Sequence, residues 1–246
     1  MATIATPEVT ASPVRHAGSG ASALRQVFVI VAKDLRAELR TKEAVNAALA
    51  FAIMILVLFS FAFDPAADET KMFAGGLLWI VFAFAGTLVL NRSFARELPN
   101  DCLDALIAAP ISGAMLFLGK ALASYVLVMA VELVALPVFG IFYYVRWYDH
   151  FWQMMLVLAL GTWAITVVGT VFSALTVNIR LREVMLPMLT YPMLVPALMA
   201  SMQLTADLVN GKQIWGPDFI WMKVLISFDI LYTAASLALV EIVLVG

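Results

Sequence analysis

Two carboxylic acids stand in long, otherwise apolar stretches: Glu132 in LASYVLVMAVELVALPVFGIF, and Asp229 in VLISFDILYTAASLALV. If both stretches are helical, Glu132 lies about 18 Å past Lys120 and Asp229 about 14 Å past Ile220, from the opposite face. In a hydrocarbon core about 30 Å thick, both would sit near the midplane. An unpaired carboxylate there is costly, so each must face a bundle interior or water. Two kinds of chemistry fit: a substrate-path or proton-linked group, or a protonated acid held in a structural hydrogen bond. No Lys or Arg shares either stretch at that depth, which argues against a buried ion pair. Ser124, Tyr125 and Met129 extend a mixed polar face beside Glu132, while Phe228, Tyr232 and Thr233 are placed to hydrogen-bond or cover Asp229.

Other tempting groups are weaker. His150 lies in YYVRWYDHFW, where Tyr and Trp suit an aromatic belt at the membrane interface. A porphyrin could also stack on such a surface with His150 as axial ligand. His16 and His150 each lack a nearby histidine or cysteine, so a tetrahedral metal site is not expected, and a single cysteine, Cys102, excludes an internal disulfide. GAMLFLGKA, Gly113 to Ala121, imitates a phosphate-binding loop. Its glycine spacing is one residue too long, Ala121 replaces the magnesium-binding hydroxyl, and no strand precedes it. The chain therefore has no nucleotide site of its own.

A polar island, NRSFARELPNDCLDALIAAPISGAMLFLGKAL from Asn91 to Leu122, interrupts the apolar sequence. Asn100 or Asp101 can start a short helix with Asp101 and Asp104 in its first turn. Leu103, Leu106 and Ile107 then form an apolar face suited to a groove on a partner, rimmed by Arg96 and Glu97. Adsorption to lipid is the rival reading, and the acidic flanks disfavour it on an anionic leaflet.

The elements that must position these groups are membrane helices. Apolar residues make up 63% of the 246 and charged residues 13%, against about 45–50% and about 25% in soluble domains. The net charge of −2 gives no footing for nucleic acid. Six windows are long enough to span: Ala44–Phe63, Met72–Leu90, Met115–Phe142, Met154–Val177, Val184–Leu204 and Ile220–Val245. Lys120 marks where the third enters the hydrocarbon. Residues 1–21 read as a disordered cytosolic tail, with a transit peptide as the rival, and 22–246 as one permease domain. Within the latter, Ser22 to Arg40 reads as an amphipathic interfacial helix, its basic residues towards anionic lipid.

Of the fifteen Lys and Arg residues, only Lys71, Arg146, Lys212 and Lys223 fall on one side, so both termini are expected in the cytosol. Pro187, Pro192 and Pro196 should kink or break the fifth span, as a hinge or cavity wall or as static packing. Thr162, Thr166, Thr170 and Ala174 repeat every four residues, spacing that lets helices approach closely, more naturally within one bundle than between subunits.

FARELPNDCLDALIAAPISGAMLFLGKAL, the proline-punctuated VMLPMLTYPMLVPALM and the amphipathic VFVIVAKDLRAELRTKE together resemble the haem exporter protein B (CcmB) family. The resemblance runs from about Ala21 onward. It implies an all-α, type-2 exporter permease fold of six spans, with an interfacial helix and a cytosolic coupling helix between spans two and three. It further implies that Arg96, Glu97, Asp101, Leu103, Asp104, Leu106, Ile107 and Pro110 form the coupling interface with a separate ATPase, the A subunit. A haem-handling C subunit, a small D subunit and a second copy of the chain are the other partners it implies, in a bacterial inner membrane. Haem then figures as substrate rather than resident cofactor, and ATP is bound by the partner. The expected role is a non-catalytic permease subunit in cytochrome c biogenesis. The alternatives are an exporter permease for a lipid, glycan or drug, or a proton-coupled secondary transporter using Glu132 and Asp229. The absence of inverted-repeat signs favours the ATPase-driven readings.

Overall fold

The computed structural model describes residues 20–63, 67–93, 112–176, 179, 181–214 and 219–245. The coupling residues Arg96, Glu97, Asp101, Leu103, Asp104, Leu106, Ile107 and Pro110 lie outside the described residues, as does most of the N-terminal tail. The described helices are α1 (Gly20–Thr41), α2 (Glu43–Ala62), α3 (Asp68–Ser93), α4 (Gly113–Phe142), α5 (Phe151–Thr176), α6 (Arg182–Val209) and α7 (Phe219–Val245). Among them, α2 to α7 are each long and apolar enough to cross a membrane, so the chain is a multi-pass helical membrane protein of six spans.

The apolar spans cannot be sorted by a one-sided stripe, because every face is greasy; burial sorts them instead. In α3 and α5 most positions are enclosed, and these two helices form the middle of the bundle. Around them α2 packs on α3 and α4, α6 on α3 and α5, and α7 on α5, α6 and α4. The main core cluster runs through Leu56, Trp79, Phe82, Phe139, Leu158 and Leu204, and a smaller one joins Phe117, Ala121, Val167, Val171 and Val240.

The amphipathic helix α1 lies along the start of α4. Val27, Ile30 and Glu38 face the bundle, whereas Leu24, Phe28 and Leu39 remain exposed with Arg25, Lys33, Arg36 and Arg40. Ile30 rests directly on Gly119, where a Cβ would come within 2.7 Å of its side chain. Only a glycine lets the two helices lie this close. The elbow into α2 is tied by Glu38, whose Oε1 accepts the amides of Ala44 at 2.8 Å and Val45 at 3.1 Å. Those are two of the donors that a helix start leaves open. Lys42 completes the turn with φ 55.

The three prolines do not break the fifth span: α6 is one helix from Arg182 to Val209, with Pro187, Pro192 and Pro196 inside it. A further proline, Pro137, sits inside α4. Lys120 is wholly buried, because α1 covers the N-terminal end of α4 and supplies a counter-charge.

Candidate functional site

The intramembrane acids lie on α4 and α7, both of which pack on the central helix α5. Glu132 of α4 is wholly buried and accepts a hydrogen bond at Oε2 from the hydroxyl of Thr162 on α5. Its other oxygen, Oε1, has no hydrogen-bonding partner among the described residues. Small residues on α5 make this approach possible. Thr162, Thr166 and Thr170 are all fully buried inside this single bundle, and Thr166 returns its hydroxyl to the carbonyls of Thr162 at 2.9 Å and Trp163 at 3.0 Å. The four-residue repeat therefore serves packing within the bundle, and in Thr162 it also provides a donor.

Asp229 of α7 is 7% exposed, and among the described residues neither of its carboxylate oxygens has a hydrogen-bonding partner. The neighbours expected to serve it are engaged elsewhere. Thr233 accepts from Nε1 of Trp163 at 3.0 Å. Tyr232 stacks on Phe228 with ring centroids 4.1 Å apart and donates to Sδ of Met193 at 3.5 Å. Tyr125 on α4 packs edge-on against Trp163 at 5.7 Å and lies within electrostatic reach of both Glu132 and Asp229. One mid-bundle layer thus joins α4, α5 and α7 through Tyr125, Glu132, Thr162, Trp163, Asp229 and Thr233. Its three unpartnered carboxylate oxygens can accept hydrogen bonds or exchange a proton. They form no nucleophile–base pair, and among the described residues no three His, Cys, Asp or Glu converge on a metal position.

A second polar layer links α3 to α6. Trp79, fully enclosed, donates from Nε1 to Thr205 at 2.8 Å. Its indole lies where a side chain on Gly161 would have to go, beside Ser201.

A third polar group sits at the α1 end of the bundle. Nζ of Lys120 lies 3.0 Å from Oδ2 of Asp34, with Lys33 3.5 Å from the other oxygen. Asp34, Glu38, Arg92 and Ser124 border a cavity of about 20 Å³, space for one water with polar partners. Arg92 also pairs with Glu43 across the ends of α3 and α2; both are well exposed, so this pair contributes little. The sequence reading missed the Asp34–Lys120 pair. Its signal was a lysine near the start of a span and an acid on the preceding amphipathic helix, but only tertiary packing brings them together.

His150 is half-buried just before α5, and its carbonyl accepts the amide of Met154 at 2.9 Å. Around it Trp147, Tyr148, Phe151 and Trp152 form a chain of ring contacts, with Trp152 81% exposed. That is the aromatic surface the sequence suggested.

Comparison with known proteins adds the kinship. The family model described as CcmB protein matches residues 25–243. A heme exporter protein B of Rhodobacter capsulatus is 30% identical over 188 residues, covering 76% of this chain and 86% of that protein. The protein of the same name from Paracoccus denitrificans is 30% identical over 171 residues, 69% of this chain and 77% of its own length. That of Pseudomonas aeruginosa is 22% identical over 210 residues, 85% and 93% of the two chains. The chain belongs to the CcmB family.

Proposed function

We propose that this CcmB-family chain is the membrane-spanning permease subunit of an ATP-driven complex in cytochrome c biogenesis. ATP hydrolysis in a separate subunit is coupled through it to haem delivery, or to release of a haem-loaded chaperone on the far side. The observation that carries the reading is the family match across nearly the whole six-span domain, to relatives named heme exporter protein B. The chain itself is non-catalytic. Its sole phosphate-loop-like stretch lacks the required spacing and hydroxyl, and Gly113, Lys120 and Ala121 lie on α4.

In this reading the island docks the ATPase. Leu103, Leu106 and Ile107 enter a groove on that subunit, with Arg96, Glu97, Asp101 and Asp104 at its rim and Pro110 closing the segment before α4. The complex lies in the bacterial inner membrane with both chain termini cytoplasmic, an orientation supported by the distribution of Lys and Arg. A haem-handling membrane subunit and a small membrane subunit accompany it.

The chain pairs with itself, since one docking segment engages one ATPase and six spans enclose a pathway poorly. Mass measurement of the solubilised complex tests this: two copies beside two ATPases are expected. One copy beside two ATPases refutes the pairing, and no ATPase at all refutes the coupled reading.

A further inference from the structure

We propose that the seam between α6 and α7 holds one anionic phospholipid, its head group on Lys223 and an acyl chain lying in the groove past Leu231. Two clefts follow that seam. One, of about 350 Å³, is bordered by Pro196, Lys223, Ser227, Phe228 and Leu231. The next, of about 380 Å³, is bordered by Phe172, Met193, Leu231, Tyr232 and Leu239 among others. Both volumes fall in the range of small-molecule sites, roughly 300–1,000 Å³. Leu231 belongs to both, and the stacked Phe228–Tyr232 pair makes a continuous aromatic wall from one to the other. They are one groove.

The chemistry of the lining selects the occupant. Among the described residues bordering either cleft Lys223 is the single charged one, and it stands near the N-terminal end of α7. Its ammonium hovers 5.4 Å from the ring centre of Phe219, so the stem follows the apolar wall while the charge is held at the mouth. Beyond it the polar side chains among the described lining residues are the hydroxyls of Ser227, Tyr232 and Ser236, and that of Tyr232 is already given to Met193. A ligand for this groove carries a negative head and a long apolar chain.

The dimensions agree. Lys223 and Leu231 are about 12 Å apart along the helix axis, close to the ~15 Å depth of one leaflet's hydrocarbon. A chain anchored at Lys223 therefore reaches the second cleft where Leu231 joins the two. Phosphatidylglycerol, with an anionic head group and long acyl chains, is therefore the probe. This inference does not depend on the haem reading.

The test uses the full chain in its complex, exchanged into nanodiscs of equal phosphatidylglycerol and phosphatidylethanolamine, then washed in mild detergent, with retained lipid measured by mass spectrometry. Wild type is expected to keep phosphatidylglycerol in preference. Lys223→Gln should lower that retention about fivefold, and Lys223→Arg should preserve it. Leu231→Trp, which fills the junction, should also release the lipid while leaving the complex monodisperse. Equal retention by Lys223→Gln or Leu231→Trp would overturn the proposal. So would a wild type with no preference for the anionic lipid, or a groove filled instead by haem or by a second copy of the chain.

Discussion

Lys120 of α4 and Asp34 of α1 meet at 3.0 Å, with the lysine side chain 1% exposed and the aspartate 16%. This contact fixes the amphipathic helix on the span that directly follows the polar island. Together with Ile30 on Gly119 and Glu38 on the start of α2, it makes α1 part of the bundle's framework.

Asp34→Asn removes one counter-charge from the enclosed lysine. The expected loss is about 2–4 kcal/mol, below the full penalty for an entirely buried pair because Asp34 retains some solvent. Adding Lys120→Met should recover much of it. Denaturant unfolding of the purified chain in detergent checks both, and an Asp34→Asn variant as stable as wild type contradicts the argument.

Gly161 is closed against any side chain by the indole of Trp79. Gly161→Ala should therefore displace Trp79 and strain its bond to Thr205, costing about 1–3 kcal/mol. Pairing the change with Trp79→Phe, which frees space at the price of one hydrogen bond, should restore part of the loss. Thermal unfolding of the three variants gives the answer.

Much of this architecture was legible in the sequence. The six spans and the amphipathic helix emerge within a few residues of where they were expected, because length and hydropathy alone dictate what a bilayer accepts. The midplane acids were legible too, since a carboxylate in such a stretch has few places to point. Their partners were not. Thr162 read as a packing residue and proves to be the donor to Glu132, while Tyr232 and Thr233, placed by the sequence to hydrogen-bond or cover Asp229, make their hydrogen bonds to Met193 and Trp163. Local spacing fixes which face a side chain occupies but not which helix meets that face. The burial of Lys120 was hidden for the same reason: nothing local announces that α1 folds back to cover it.

Glu132 and Asp229 should respond differently to substitution. Thr162→Val is expected to cost about 1–3 kcal/mol by leaving a further buried carboxyl oxygen without a donor. Glu132→Gln keeps the shape and should assemble and support ATP hydrolysis, yet fail to support holo-cytochrome c formation. Asp229 surrenders no hydrogen bond, so Asp229→Leu should be at least as stable as wild type and retain activity. Normal maturation with Glu132→Gln, or its loss with Asp229→Leu, would reverse these roles.

The island is tested by changing Leu103 and Leu106 together to Ala. Loss of two apolar anchors, each worth about 1.5–3 kcal/mol when fully buried, should sharply reduce the ATPase that co-purifies while membrane insertion stays normal. Undiminished co-purification places the docking element elsewhere.

The central claim is that this chain serves haem delivery to c-type cytochromes, and the most direct measurement is covalently bound haem in a strain lacking the chain. Haem staining of the cytochromes should fall to background in the deletion strain. Wild type supplied in trans should restore it, and the Leu103→Ala, Leu106→Ala variant should not. Normal covalent haem in the deletion strain would contradict the account.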